Sequence, residues 1–190
     1  MTKLIVTAAA ACFILACNND STKSAAAKED TAAAAKVETA STPVDYPYKA
    51  EYTTDFKVGD ANNSKLVLDF FKLWETGNID AMKPMLTDSV WIEFSDGSKV
   101  HATADSVVKL AKQYRSTMSK VEIKLDTRMP IHANDKNEDW VLVWERDYNT
   151  NSKGKLDSIR SHSYWQVKNN KIAGWSEFQQ KLVAPKAAKK

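Results

Sequence analysis

The stretch Leu66-Val67-Leu68-Asp69-Phe70-Phe71-Lys72-Leu73-Trp74-Glu75-Thr76-Gly77 decides how this chain is read. Leu66, Val67, Phe70, Phe71 and Trp74 recur at steps of three and four, the period that puts side chains on one face of a helix. Ser64 stands ahead of them as a capping side chain. Gly77 follows where a left-handed residue ends a helix at low steric cost. A second short helix fits Ile79 to Leu86, and Val107, Leu110, Ala111, Tyr114 and Met118 mark a third, capped by Thr103 or Asp105.

Outward from the helices the period changes to two. Val90-Trp91-Ile92-Glu93-Phe94 alternates, and Asp96-Gly97 is a hairpin-turn pair. Val121, Ile123, Leu125, Thr127 and Met129 alternate with charged residues, and Trp140 to Tyr148 does the same. Pro130 to Asp139, with His132, is expected to be a loop between these strands. Leu156 to Val167 and Lys171 to Leu182 form a hairpin about Asn169-Asn170, residues that tolerate positive φ. Helices first and strands afterwards predict an α+β domain over residues 62–183, with about three N-terminal helices packed on a curved antiparallel sheet.

Upstream, residues 18–45 are mostly Ala, Lys, Glu, Asp, Ser and Thr, with Val37 and Val44 the larger apolar residues. This composition buries too little surface to offset the entropy of ordering, so residues 17–61 are expected to form a flexible tether. Tyr46-Pro47-Tyr48 and Tyr52 to Phe56 are where packing on the domain would begin. Before the tether, Lys3, an apolar run from Leu4 to Leu15 and Ile14-Leu15-Ala16-Cys17 resemble a bacterial lipoprotein signal. That resemblance implies removal of residues 1–16, acylation of Cys17 and lipid anchoring in the bacterial cell envelope, facing the periplasm or the exterior.

Loss of residues 1–16 takes only Lys3 from the 27 Lys+Arg, leaving 26 against 24 Asp+Glu. Such a balance does not build the concentrated basic face that nucleic acid requires. The basic tail 184–190 reads as a solvated end. Cys12 and Cys17 are the two cysteines, so the domain holds none for a disulfide, a thiolate nucleophile or a zinc–thiolate site. No HExxH and no Gly-rich phosphate loop occurs, and neither a metal nor another cofactor is expected.

The segment Leu68 to Met82 resembles the opening helix pair of the NTF2-like superfamily. Leu86-Thr87-Asp88-Ser89-Val90-Trp91 is similar to that family's following strand, and Tyr164-Trp165-Gln166-Val167-Lys168-Asn169-Asn170-Lys171-Ile172 to its terminal hairpin. Among the subfamilies the SnoaL-like group fits best, over about residues 62–182. The resemblance implies a cone-shaped fold, a pocket between helices and concave sheet, and homodimerisation through the sheet's outer face. It does not imply a particular chemistry.

All six Trp fall in the domain. Trp74 and Trp165 read as core. Trp140, Leu142, Trp144, Arg146 and Tyr148 share one strand face, which suits either a pocket wall or a subunit interface. Trp91, Trp144, Arg146, Trp175 and Glu177 are the candidate ligand-binding residues. His101, Glu177 and Tyr114 are the candidate catalytic groups, drawn from a wider set that includes His162, Glu93, Asp96, Glu145 and Asp147. Where many family members keep a pocket Asp, this chain has Phe178-Gln179-Gln180, which weakens the usual acid–base arrangement. The first expectation is therefore a noncatalytic domain that binds a small apolar ligand or a protein partner. The alternative is an isomerase, hydratase or cyclase acting by proton transfer on a small apolar substrate. A carboxylate or His within reach of a second polar group inside an apolar pocket would favour the enzyme.

Overall fold

The structure is a computed structural model that describes residues 44–182. The signal segment 1–16, Cys17, the tether up to residue 43 and the basic tail lie outside the described residues. The unit described below begins at Tyr46.

A short strand β1 (Phe56–Val58) leads into helix α1 (Ala61–Thr76), and a 3-10 helix spans Ile79–Met85. Strands β2 (Leu86–Glu93) and β3 (Lys99–Thr103) precede helix α2 (Ala104–Arg115). Four long strands follow: β4 (Met118–Ala133), β5 (Glu138–Asn151), β6 (Leu156–Lys168) and β7 (Lys171–Lys181). They make one seven-stranded sheet in the order β1-β4-β5-β6-β7-β2-β3.

Helix α1 starts earlier than the apolar period suggests. Asp60, not Ser64, is the cap, its Oδ1 accepting from the Asn62 N–H at 2.8 Å. Ser64 is instead buried on the helix's packing face. Gly77 ends α1 at φ 79°, as expected. Arg115 then closes that end: its guanidinium donates to the carbonyls of Trp74 (3.0 Å), Glu75 (3.1 Å) and Met118 (2.9 Å). A fixed cation on the last carbonyls of a helix also suits its dipole. Helix α2 is capped by Thr103.

Two features of the sheet depart from a simple antiparallel meander. β2 runs parallel to β7, so one ladder of the expected antiparallel sheet is parallel and the β2–β3 hairpin is carried beyond the β7 edge. The segment Pro130 to Ala133 continues β4 instead of looping, because β1 pairs with it and gives those backbone groups a partner. His132 therefore lies in a strand, with Nδ1 2.9 Å from Asp139 Oδ1. Asn169 and Asn170 turn the β6–β7 hairpin at φ 52° and 58°, the two positive values a type I′ turn demands.

Helices cover one face of the sheet. Val67 and Phe70 of α1, Ile79 and Met82 of the 3-10 helix and Val107 and Val108 of α2 meet Val90, Ile92, Val141, Val143, Trp165, Val167 and Ile172 in a single core. Trp165 and Trp175 stack at 4.7 Å, with Phe70 and Phe71 edge-on to Trp165. The other sheet face carries a second aromatic layer, described below.

Candidate functional site

Strand register arranges the helix-facing side of the sheet in rows, about 7 Å apart along each strand because same-face residues alternate. The innermost row is apolar: Val141 opposes Trp165, which opposes Trp175. The next reads Val143, Ser163, Glu177, and the next Leu125, Glu145, Ser161, Gln179. Beyond it come Ile123, Asp147, Ile159 and Lys181, then Val121, Asn149 and Asp157. Polarity thus rises from the packed core toward one open end. Exposure follows along β5, from fully buried Val141 and Val143 through Glu145 (5%) to partly exposed Asp147 and Asn149.

Three carboxyl groups consequently converge on one face. Burial first, and then the charges of Asp147 and Glu177, push the Glu145 carboxyl up to about 8. Burial raises Asp147 to about 6. Glu177 is raised by burial and then by Asp147, against a hydrogen bond from Gln179 (3.2 Å). Ser163 Oγ accepts from Trp165 Nε1 at 2.9 Å, so its own O–H is left to face Glu145. Glu145 Oε2, Asp147 Oδ1, Asn149 Oδ1 and Ser161 Oγ are buried and find no hydrogen-bond partner in the protein. Buried polar atoms are rarely left so. Tyr114, in the last turn of α2, stacks on Trp74 at 6.0 Å. Loss of solvent and the charges of Glu177 and Asp157 raise its hydroxyl pKa, although its ring keeps 62% exposure.

The structure divides the expected site residues between two faces. Glu177 and Trp175 lie on the helix-covered face, and Tyr114 borders it. Trp91, Trp144 and Arg146 lie on the outer face. Trp144 stacks on His162 at 4.5 Å, and Arg146 donates through Nε (2.9 Å) and Nη2 (2.6 Å) to Asp126. Trp91 donates to Gln166 at 3.0 Å and contacts Trp140 and Tyr164. His101 pairs opposite Trp91, exposed and away from the carboxyls. Sequence reasoning leaves Glu145 and Asp147 in the wider set of groups and misses Asn149 and Ser161. The signal that finds them is the frame of β5: Val141 and Val143 alternate straight into Glu145 and Asp147.

Among the described residues no group of three or more His, Cys, Asp or Glu is arranged to hold a metal ion. Two open depressions, of about 300 and 320 Å³, lie away from the carboxyls, one of them on the outer face beside Lys120, Lys124 and Tyr148. One is lined by Glu122, whose carboxyl Lys120 and Lys124 hold below its ordinary range, but neither gathers raised carboxyls as the concave face does, so the chemistry is assigned to the carboxyl rows.

No family model matches this sequence, and no curated protein does. Solved structures match in shape. An LEH-like epoxide hydrolase from M. tuberculosis superposes with a TM-score of 0.54 at 13% identity, covering 63% of this chain and 83% of that one. A protein assigned as a SnoaL-like polyketide cyclase from Jannaschia sp. CCS1 gives 0.52 at 10% identity, covering 69% and 91%. An NTF2-like protein of unknown function from Burkholderia pseudomallei gives 0.52 at 13%, covering 64% and 92%. At such identities the likeness is one of fold, and the fold is the NTF2-like cone: three helices on a curved, mixed seven-stranded sheet.

Proposed function

We propose that this domain transfers a proton on a small, mostly apolar ligand held at the concave face. The observation that carries this reading is the pair Glu145 and Asp147, two residues apart on one strand face, with carboxyls raised to about 8 and about 6. Between those values the pair holds one proton, so an acid and a base coexist near pH 7. The titration belongs to the pair as a whole. Glu145, the deeper group, serves as the acid, and Asp147, nearer the opening, as the base. The Ser163 hydroxyl facing Glu145 and the charges of Asp147 and Glu177 beside it support the enzyme over the noncatalytic binder, with Trp175 and Trp165 as the apolar floor.

Exchange of carbon-bound hydrogen tests this directly. The chain is incubated in deuterated water with a panel of small cyclic ketones, and label at the carbon next to the carbonyl is followed by NMR. Catalysed exchange that falls about a hundredfold or more in Asp147→Asn is expected for loss of a general base. Ketones whose contact with the cone shifts its resonances, yet which exchange no faster than in buffer, would contradict it.

The outer face favours a second role, self-association. Trp140, Trp144, Tyr164, His162 and Phe178 form a continuous aromatic layer, and Phe178 keeps 57% exposure. Aromatic residues and Arg are enriched at interfaces. The domain is proposed to form a homodimer through this face. Arg146→Ala and Trp144→Ala should then shift it toward monomer in sedimentation velocity. An unchanged sedimentation coefficient in both variants argues against the interface.

The site is further proposed to work at the bacterial envelope, anchored through acylated Cys17, since multiple acyl chains hold a protein stably where one does not. Cys17→Ala should leave the membrane fraction. Retention there with normal processing counts against the anchor.

A further inference from the structure

We infer that the concave site takes a ligand bearing a cationic nitrogen, an ammonium or amidine head on a small apolar body. The inference shares with the proposed function only the location of the ligand, not the proton transfer. Its basis is the hydrogen-bonding sense of the unsatisfied atoms. Glu145 Oε2, Asp147 Oδ1 and Asn149 Oδ1 lack partners. An amide oxygen only accepts, and so does a carboxylate once ionised, so the demand for donors rises as Asp147 and then Glu145 lose their protons. The fourth orphan, Ser161 Oγ, sits directly across the β5–β6 ladder from Glu145 and is 2% exposed. It is independent of the acidic cluster, and it too is aimed at the same space. A ligand that satisfies this ring must bring several N–H donors.

Charge gives the same sense. Every charge acting appreciably on Glu145 is negative: Asp147, Glu177 and Asp126. Among the described residues no ion pair includes Glu145, Asp147 or Glu177. The cation that register places on this face, Lys181 opposite Ile159, is already engaged by Asp157 at 3.2 Å, so an anionic head would meet three carboxyls and a paired lysine. A neutral hydroxyl would satisfy one or two acceptors and neutralise nothing. An ammonium has three donors and the opposite charge. The stacked rings of Trp74 and Tyr114 border the cluster on the Glu177 side, and aromatic faces favour a cation beside them.

Three ligands of one shape test the inference: benzylamine, benzyl alcohol and benzoate, titrated calorimetrically into the full-length chain. Benzylamine should bind about tenfold or more tighter than benzyl alcohol, with benzoate weakest. Asp147→Asn and Glu177→Gln should each reduce that preference, weakening the amine more than the alcohol. The preference should also grow from about pH 5 to pH 8 as Asp147 and Glu145 ionise, the other charged or titratable groups around them being Glu177, Asp126, Asp157, Lys181 and Tyr114. Equal affinity for amine and alcohol, no binding of the amine, or a preference that survives both substitutions overturns the inference. The two readings fail separately. Amine preference without deuterium exchange removes the proton transfer alone, and exchange on neutral ketones without amine preference removes this inference alone.

Discussion

A carboxyl 5% exposed, with a serine hydroxyl as its nearest polar neighbour and two further carboxyls beside it, is costly to ionise, and Glu145 is such a group. The cost links the site to stability. Its folded pKa of about 8 lies above the ordinary 4.5, so between those values the native state holds a proton the unfolded chain has released. The stability of the neutral form is fully present below about 4.5 and is lost as pH rises through about 8. Asp147 adds the same sign between 3.8 and about 6. The melting temperature should therefore fall between about pH 5 and pH 9 in the wild type. The stability lost is at most about 1.4 kcal/mol for each tenfold difference in proton affinity between the native and unfolded chain. Glu145→Gln keeps the shape and removes the titration, so its melting curve should be flatter and lie above the wild type at the alkaline end. Parallel curves for the two proteins would show that Glu145 does not carry the dependence.

At the scale of elements, β5 shows what the sequence made legible. Its alternation was plain, and so was the sharing of one face by Trp140, Trp144, Arg146 and Tyr148. Which face met the helices was not, because period two is silent about inside and outside. The aromatic set suits a pocket wall or a subunit interface equally, yet two small β-branched residues, Val141 and Val143, are what the helices bury. The helices themselves were legible to within a turn from spacing and Gly77. The parallel β2–β7 ladder was not, since its partners lie some eighty residues apart and no local pattern joins them. Gly174 belongs to that junction. A Cβ there would stand 2.4 Å from the Trp91 indole, which lies against β7 on the outer face. Gly174→Ala must displace a large ring held by Gln166 and Tyr164, so a loss of about 1–3 kcal/mol is expected from chemical denaturation, the usual cost of overpacking. A neutral result would mean that Trp91 swings aside freely.

For the whole molecule, the division between upstream segment and domain has a measurable consequence. The described unit opens at Tyr46, and its first tie to the sheet is Tyr52, whose hydroxyl donates to Glu138 and accepts from Trp140 Nε1 at 3.2 Å. Deleting residues 18–45 should leave the melting temperature within error. Deleting through Tyr52 should lower it, because an aromatic contact and two hydrogen bonds go together. A lowered melting point already in the shorter deletion would show that the upstream segment packs on the domain.

The same cone places an apolar floor, three carboxyls and a tyrosine along one sheet face, and the proposed chemistry depends on two of those carboxyls holding one proton between them near neutrality. Carbon-detected NMR of side-chain carboxyls, followed across about pH 4 to pH 9, reads this directly. The wild type should show one carboxyl titrating near 8 and another near 6, with the upper transition lost in Glu145→Gln and the lower one in Asp147→Asn. If every carboxyl of the domain titrates below about pH 5, the ordinary range for exposed Asp and Glu, the acid–base pair does not exist and the proposed chemistry is wrong.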